Sequence, residues 1–279
     1  MSHPQTQLLI IDPQNDFMDT PESALPVAGA TGDMQRLATM VDRVGDKLQK
    51  IHVTMDSHQV VDIAHPAFWR DSDGKSPDPM TMISAESIKD NTWTPRIPSL
   101  REYAIGYAET LEAAGKYALM VWPAHCLIGS WGHNVQSDLA EALERWAMKR
   151  TRNIDYVTKG TNVLTEHYGA LMAEVPVAQD PSTQLNARFL QMLQEADVIV
   201  VAGEASSHCV KATVEQVADN IGEEHVKKFK LLTDCMSPVP AVTAPDGTVI
   251  VDFPGIADGF LKDMDARGME LTTSDAFLA

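Results

Sequence analysis

Cys209 stands at a handover in the stretch "VIVVAGEASSHCVKATVEQVADNI". The apolar run Val198 to Val201 halts at Ala202-Gly203, and beyond the cysteine Val210, Val214, Val217 and Ile221 mark one face of a helix. That spacing predicts Cys209 in the first turn, with Ser206 or Ser207 as the N-cap. Unpaired backbone N–H groups and the positive end of the helix dipole would favour a thiolate there and lower the cysteine pKa. The same amides can hold a developing oxyanion. Position alone equally suits a buried cysteine filling space behind a helix.

A thiol nucleophile needs a proton acceptor and a group to orient it. Asp12 closes the apolar run "LLIID", where a carboxylate points to a cleft or caps a turn. Lys159 closes "DYVTKG", as a cleft cation or as a snorkelling surface residue. An acid, a base and a thiol at three strand ends make a coherent site.

A second group of residues has metal-ligand chemistry. "TMDSHQVVDIAHPAFW" follows the second apolar run and offers Asp56, His58 and His65; "VWPAHC" follows the third and adds His125. Residues two apart on a strand share a face, so Asp56 and His58 point to one side. Histidine and carboxylate donors suit zinc, iron or manganese, and the missing second thiol argues against a structural Cys-rich zinc site. His133, His167 and His208 have no such company and are assigned structural or supporting roles.

The elements that must position these groups are short apolar runs, each followed by a turn and then a helical pattern. Strands are expected at Leu8 to Ile11, Ile51 to Met55, Ala118 to Trp122, Asp155 to Thr158, Val198 to Val201 and Lys230 to Leu232. Helices are expected at Asp33 to Gln49, Ser137 to Met148, Asn186 to Ala196, Ser207 to Ile221 and Ile256 to Arg267. Alternation of this kind implies a mostly parallel sheet covered on both faces, with functional groups at the carboxyl ends of its strands. Residues 70–118, with "DSDGKSPDP" and "NTWTPRIPSL", break the rhythm and are expected to be an excursion from one domain spanning 1–279, as a lid or an oligomer contact.

Bulk properties narrow the function classes. The 279 residues are long enough for a full core, and 44% are hydrophobic. A formal charge of −17 argues against nucleic acid or an anionic membrane as partner. The start "MSHPQTQLLIID" lacks the basic and apolar regions of a secretory signal, and a cytoplasmic location is expected. Three cysteines give no disulfide framework.

Together the segments "LLIIDPQNDFM", "TMDSH", "VWPAHCLIGSWG", "YVTKGTN" with "HYGA", and "VAGEASSHCVKAT" resemble the cysteine hydrolases of the isochorismatase-like superfamily, and nicotinamidases most of all. "GMELTTSDAF" is similar to the family's last strand. The resemblance implies a three-layer α/β/α fold around a mostly parallel six-stranded sheet. It makes Cys209 the nucleophile, Asp12 its proton partner and Lys159 the supporting cation. It also implies a cis peptide between Glu204 and Ala205, with the amides of Ala205 and Cys209 as the oxyanion hole. Asp56, His58 and His125 would bind a divalent metal, zinc before iron or manganese, with His65 as a fourth ligand found in some members. A small amide would lie against Phe17, Trp122 and Tyr168 with its pyridine nitrogen at the metal. The implied activity is deamidation of nicotinamide to nicotinate, a step of NAD salvage, and a homo-oligomer is among the expectations. Alternatives are a relative acting on another amide, imide or ureido substrate, an isochorismatase, and a catalytically silent binding protein.

Three departures from the family pattern stand out. Gly129-Ser130-Trp131-Gly132-His133 follows "HC" and is expected to place bulk near the pocket. Glu204 occupies a position that is usually aliphatic. The excursion at 70–118 is longer than typical connections.

Overall fold

The structure is a computed structural model that describes residues 4–115, 118–244 and 246–278. Its centre is a six-stranded sheet. The strands are β1 (Thr6–Ile11), β2 (Leu48–Asp56), β3 (Asp155–Lys159), β4 (Val198–Gly203), β5 (Phe229–Leu232) and β6 (Glu270–Thr272). Their spatial order is β3-β2-β1-β4-β5-β6, and every pairing is parallel. β1 is buried along its whole length, as its unbroken apolar run requires of a central parallel strand.

The order reverses between β1 and β4, where a doubly wound sheet opens a crevice at the carboxyl ends. Among the described residues, six helices of eight residues or more accompany the strands: α1 (Ala30–Val44), α2 (Arg101–Ala114), α3 (Ser137–Arg150), α4 (Ala187–Gln194), α5 (Cys209–Asn220) and α6 (Phe253–Ala266). Helices α1 and α3 pack on each other, and the right-handed crossover rule sets them on one face of the sheet and α4, α5 and α6 on the other. The fold is thus the expected three-layer α/β/α sandwich. Among the described residues no helix is long and apolar enough to cross a membrane.

Register brings the chemistry together. Ile11 pairs with Gly203 and Asp56 with Lys159. Asp12 and Glu204 therefore leave the sheet side by side, and a carboxylate and an ammonium meet across the ends of β2 and β3. Gly203 has φ +127, and a Cβ there would run into the Ile11 backbone, so this turn admits no side chain.

Three expectations are corrected. The run at 118–122 is not a strand of the parallel sheet: Leu119–Val121 pairs antiparallel with Thr81–Ile83 in a separate two-stranded ladder, and β2 takes β3 as its edge partner. Helix α1 stops at Val44, a 3-10 turn follows over Gly45–Lys47, and Gln49 already belongs to β2. The excursion is not patternless, since it contains the fourteen-residue α2. Gly106 and several alanines dilute its apolar stripe, but Ala104, Tyr107, Ala108 and Leu111 are buried in a second apolar cluster with Trp69, Ile83 and Ile88.

That cluster sets α2 beside the loop that follows β3. Tyr103 Oη donates to the Leu164 carbonyl (2.8 Å), and Tyr107 Oη accepts the Glu166 amide (2.9 Å). The two rings, one helical turn apart, fix the segment that leads into Tyr168.

Candidate active site

Lys159 is the hub of the crevice. It is 2% exposed, and its Nζ lies 2.9 Å from Asp12 Oδ2, 3.0 Å from Asp56 Oδ1 and 3.6 Å from Cys209 Sγ. It also donates to the His167 carbonyl at 2.9 Å. Burial alone would lower its pKa, but Asp12, Asp56 and Cys209 hold it well above the usual lysine value. The surface-lysine alternative is excluded. Gly160 follows with φ +77, and a Cβ there would stand 2.8 Å from Asp56 Oδ1.

Asp12 is fully buried and accepts from Thr54 Oγ1 at 2.5 Å. Burial raises its pKa against the opposing pull of Lys159, which suits a group that takes and returns a proton. Cys209 opens α5 as expected, but the capping differs. The N-cap is His208, without a side-chain cap bond. Ser207 Oγ is engaged elsewhere, with His208 Nδ1 at 2.9 Å and the Val239 amide at 3.1 Å.

The expected lowering of the thiol pKa is also corrected. Burial, with Asp12 and Asp56 adding to it, pushes Cys209 well above its ordinary value despite Lys159. The peptide between Glu204 and Ala205 is cis. Ala205 O accepts from His208 N (3.0 Å) and Val210 N (3.1 Å), while no hydrogen bond among the described residues engages the Ala205 or Cys209 amide.

The metal candidates converge on the same crevice. Ligand atoms of His58, His65 and His125, all buried, lie within 4.8 Å of one another. Asp56 Oδ2 is 3.0 Å from His58 Nε2 and 3.4 Å from His125 Nε2, and His65 Nε2 is 3.4 Å from His125 Nδ1. Although the run before it left the sheet, His125 arrives because Cys126 O accepts the His58 amide and His58 O the Ile128 amide, both at 3.1 Å.

Burial, with His125 and His58 alongside, lowers the His65 pKa to about 3, so its ring is neutral and able to coordinate. Asp62, which the sequence reading passed over, lies 3.1 Å from His58 Nδ1, and the Gln59 carbonyl is 3.0 Å from His65 Nδ1. Carboxylate and carbonyl partners of this kind orient ligating imidazoles. Three clustered imidazoles, two of them beside the Asp56 carboxylate, fit a divalent cation of borderline softness. If the cluster holds a divalent cation, Asp62→Asn is expected to weaken its binding about 10–100-fold, read with zinc as the probe by competition against a chromogenic chelator. Unchanged affinity would remove Asp62 from the site.

Phe17, Trp122 and Tyr168 line a narrow cavity together with Asp56, His125, Ala205 and Cys209. The Trp122 indole donates to Tyr168 Oη at 3.0 Å, and the Phe17 and His125 rings meet edge-on at 5.5 Å. Two further wall residues were missed. Glu166, 5% exposed, accepts the His167 amide on Oε1 (2.9 Å). His208 packs edge-on to Trp122 and Phe253, and burial holds its pKa near about 3, so it is neutral. Its place immediately before the cysteine was the available signal.

The bulk expected from 129–133 does not enter the pocket. Trp131 is half exposed and outside the lining, and the segment instead pins the 15–16 turn, through Trp131 O to Asn15 Nδ2 and Gly132 O to Asp16 N.

No family model and no curated protein matches the sequence. Solved structures do. Yeast nicotinamidase superposes with a TM-score of 0.63 at 18% identity, over 96% of this chain and 99% of that one. A nicotinamidase and pyrazinamidase of Acinetobacter baumanii gives 0.58 at 19% identity, over 99% and 100%. A pyrazinamidase of Pyrococcus horikoshii in complex with zinc gives 0.55 at 18% identity, over 97% and 99%. The chain has the fold of the isochorismatase-like and nicotinamidase hydrolases.

Proposed function

We propose that the protein is a metal-containing cysteine amidohydrolase that deamidates a small aromatic or heteroaromatic primary amide, nicotinamide to nicotinate before others, with residues 70–118 inserted in a single catalytic unit. The observation that carries this reading is the Lys159 ammonium, which touches the candidate base, the thiol and the carboxylate of the metal cluster at once. The nicotinamidase fold supports it, and such a reaction would serve NAD salvage.

The chemistry follows from the local charges. Asp12 takes the thiol proton as Cys209 Sγ attacks the amide carbonyl, with Lys159 balancing the sulfur as its negative charge develops. The Ala205 and Cys209 amides receive the oxyanion. Asp12 returns the proton to the departing amine, ammonia leaves, and a thioester remains. Water then attacks the thioester, giving its proton to Asp12, and Cys209 is reprotonated as the acid product departs. Asp56, His58, His65 and His125 would hold the metal, whose chemistry when bound is to polarise a ligand or acidify water. Phe17, Trp122 and Tyr168 offer an apolar aromatic lining suited to a flat ring.

Glu166 in the wall favours a second reading within the same chemistry, an amide or ureido substrate that carries a further hydrogen-bond donor. A panel of amides including nicotinamide, assayed for ammonia, tests both. Release from a ring carboxamide, lost on chelation and restored by zinc, iron or manganese, is expected. A panel silent throughout would leave a binding protein on this fold.

A further inference from the structure

Glu204 is the residue that fits this site least as a sequence and most as a structure. It is fully buried directly before Ala205. Its Oε2 accepts the Ser237 amide at 3.1 Å, while Oε1 receives no N–H or O–H donor among the described residues. What stands against the carboxyl is the side chain of Asp33, from the first turn of α1. Two carboxyl groups hydrogen-bond to each other only when one carries a proton.

Charge placement says which one does. Asp33 Oδ1 pairs with Arg36, and Oδ2 accepts from Ser237 Oγ at 2.6 Å, so the negative charge is housed there. No ion pair among the described residues engages Glu204. The charged groups that bear on it among the described residues are Asp33 on α1, with its partner Arg36, and Asp19 before that helix. Burial and the neighbouring Asp33 both raise Glu204 well above the usual glutamate value.

Ser237 completes the arrangement, since its carbonyl also accepts the Ser206 amide at 2.9 Å. One serine thus grips the 203–206 turn by backbone, by Glu204 and, through its hydroxyl, by α1.

We propose that Glu204 is a positioning residue: as a neutral acid it shares its proton with Asp33 and, through Ser237, fastens the turn that aims the Ala205 amide at the substrate. The proposal rests on the hydrolase reading for what the turn does, and on the carboxyl pair for how it is held. Glutamine reproduces both contacts, with an amide N–H toward Asp33 and a carbonyl toward Ser237. Glu204→Gln therefore retains kcat at neutral pH, whereas Glu204→Ala lowers kcat roughly 100-fold with KM little changed.

The pH dependence has a definite sign. An acid whose folded pKa is raised stabilises the fold fully below the ordinary carboxylate range and loses that contribution as pH rises through the folded value. The wild-type melting temperature should fall with rising pH across that window, and Glu204→Gln should flatten the slope. Infrared spectra at neutral pH should show a protonated-carboxyl band in the wild type that is missing in Glu204→Gln. These two readouts need no turnover and no alanine variant that folds. Superimposable spectra and melting profiles, or a glutamine variant as slow as the alanine one, would overturn the proposal. A silent amide panel with both Glu204-dependent signals present overturns the hydrolase reading alone.

Discussion

Cys209→Ala is expected to release ammonia from the amide substrate at least about a thousandfold more slowly than the wild type, with its melting temperature nearly unchanged. The side chain is small and 7% exposed, so removing its sulfur leaves little cavity. Its loss removes the thiol that lines the cavity, while Asp12 and Lys159 pair directly with each other behind it and are not among the lining residues. The variant should still bind amide in the aromatic slot, which calorimetry can read. Turnover near the wild-type rate would show that the thiol is a bystander.

Lys159→Met should be the most damaging substitution to the fold. Lys159 is the cation between Asp12 and Asp56, which are themselves buried. Breaking a buried pair from one side leaves uncompensated charge and costs about 3–5 kcal/mol. For a chain of this size that lowers the melting temperature by roughly 10 °C. The pH signature separates this from simple loss of packing. A lysine whose folded pKa is raised stabilises the fold fully below its ordinary range and loses that contribution as pH climbs through the folded value. Wild-type stability should therefore fall at strongly alkaline pH, and the variant should lack that fall. A melting temperature within two or three degrees of the wild type would contradict the hub that the distances describe.

Much of the site was legible because its chemistry sits at strand ends. Asp12, Asp56, Lys159 and the cysteine each follow an apolar run, and a parallel sheet gathers such ends on one edge without further information. The histidines were legible from type and spacing, and the structure brings His58, His65 and His125 together, with His58 and His125 beside Asp56. What escaped the sequence depends on contacts between distant segments. Leu119–Val121 reads as one more parallel strand, and only its partner at 81–83 shows that it is antiparallel and outside the main sheet. Helix α2 escaped because alanines and tyrosines, packed on Trp69 and its neighbours, replaced the expected leucines.

Protonation was the least legible property. The helix terminus at Cys209 is a local feature, but the desolvation and the two carboxylates that reverse its effect come from β1, β2 and the burial of the crevice. Glu204 gives the same lesson. Its charge looked out of place beside an oxyanion turn until Asp33, 171 positions away in the chain, supplied the other half of a proton-sharing pair.

The central claim is that Cys209 carries the acyl group, and acid-quenched single-turnover mass spectrometry tests it most directly. The account predicts a transient mass increment equal to the amide less ammonia, mapping to the peptide that contains Cys209 and absent from Cys209→Ala. Ammonia released in step with an adduct on another residue, or undiminished release from enzyme whose Cys209 has been alkylated, would contradict it.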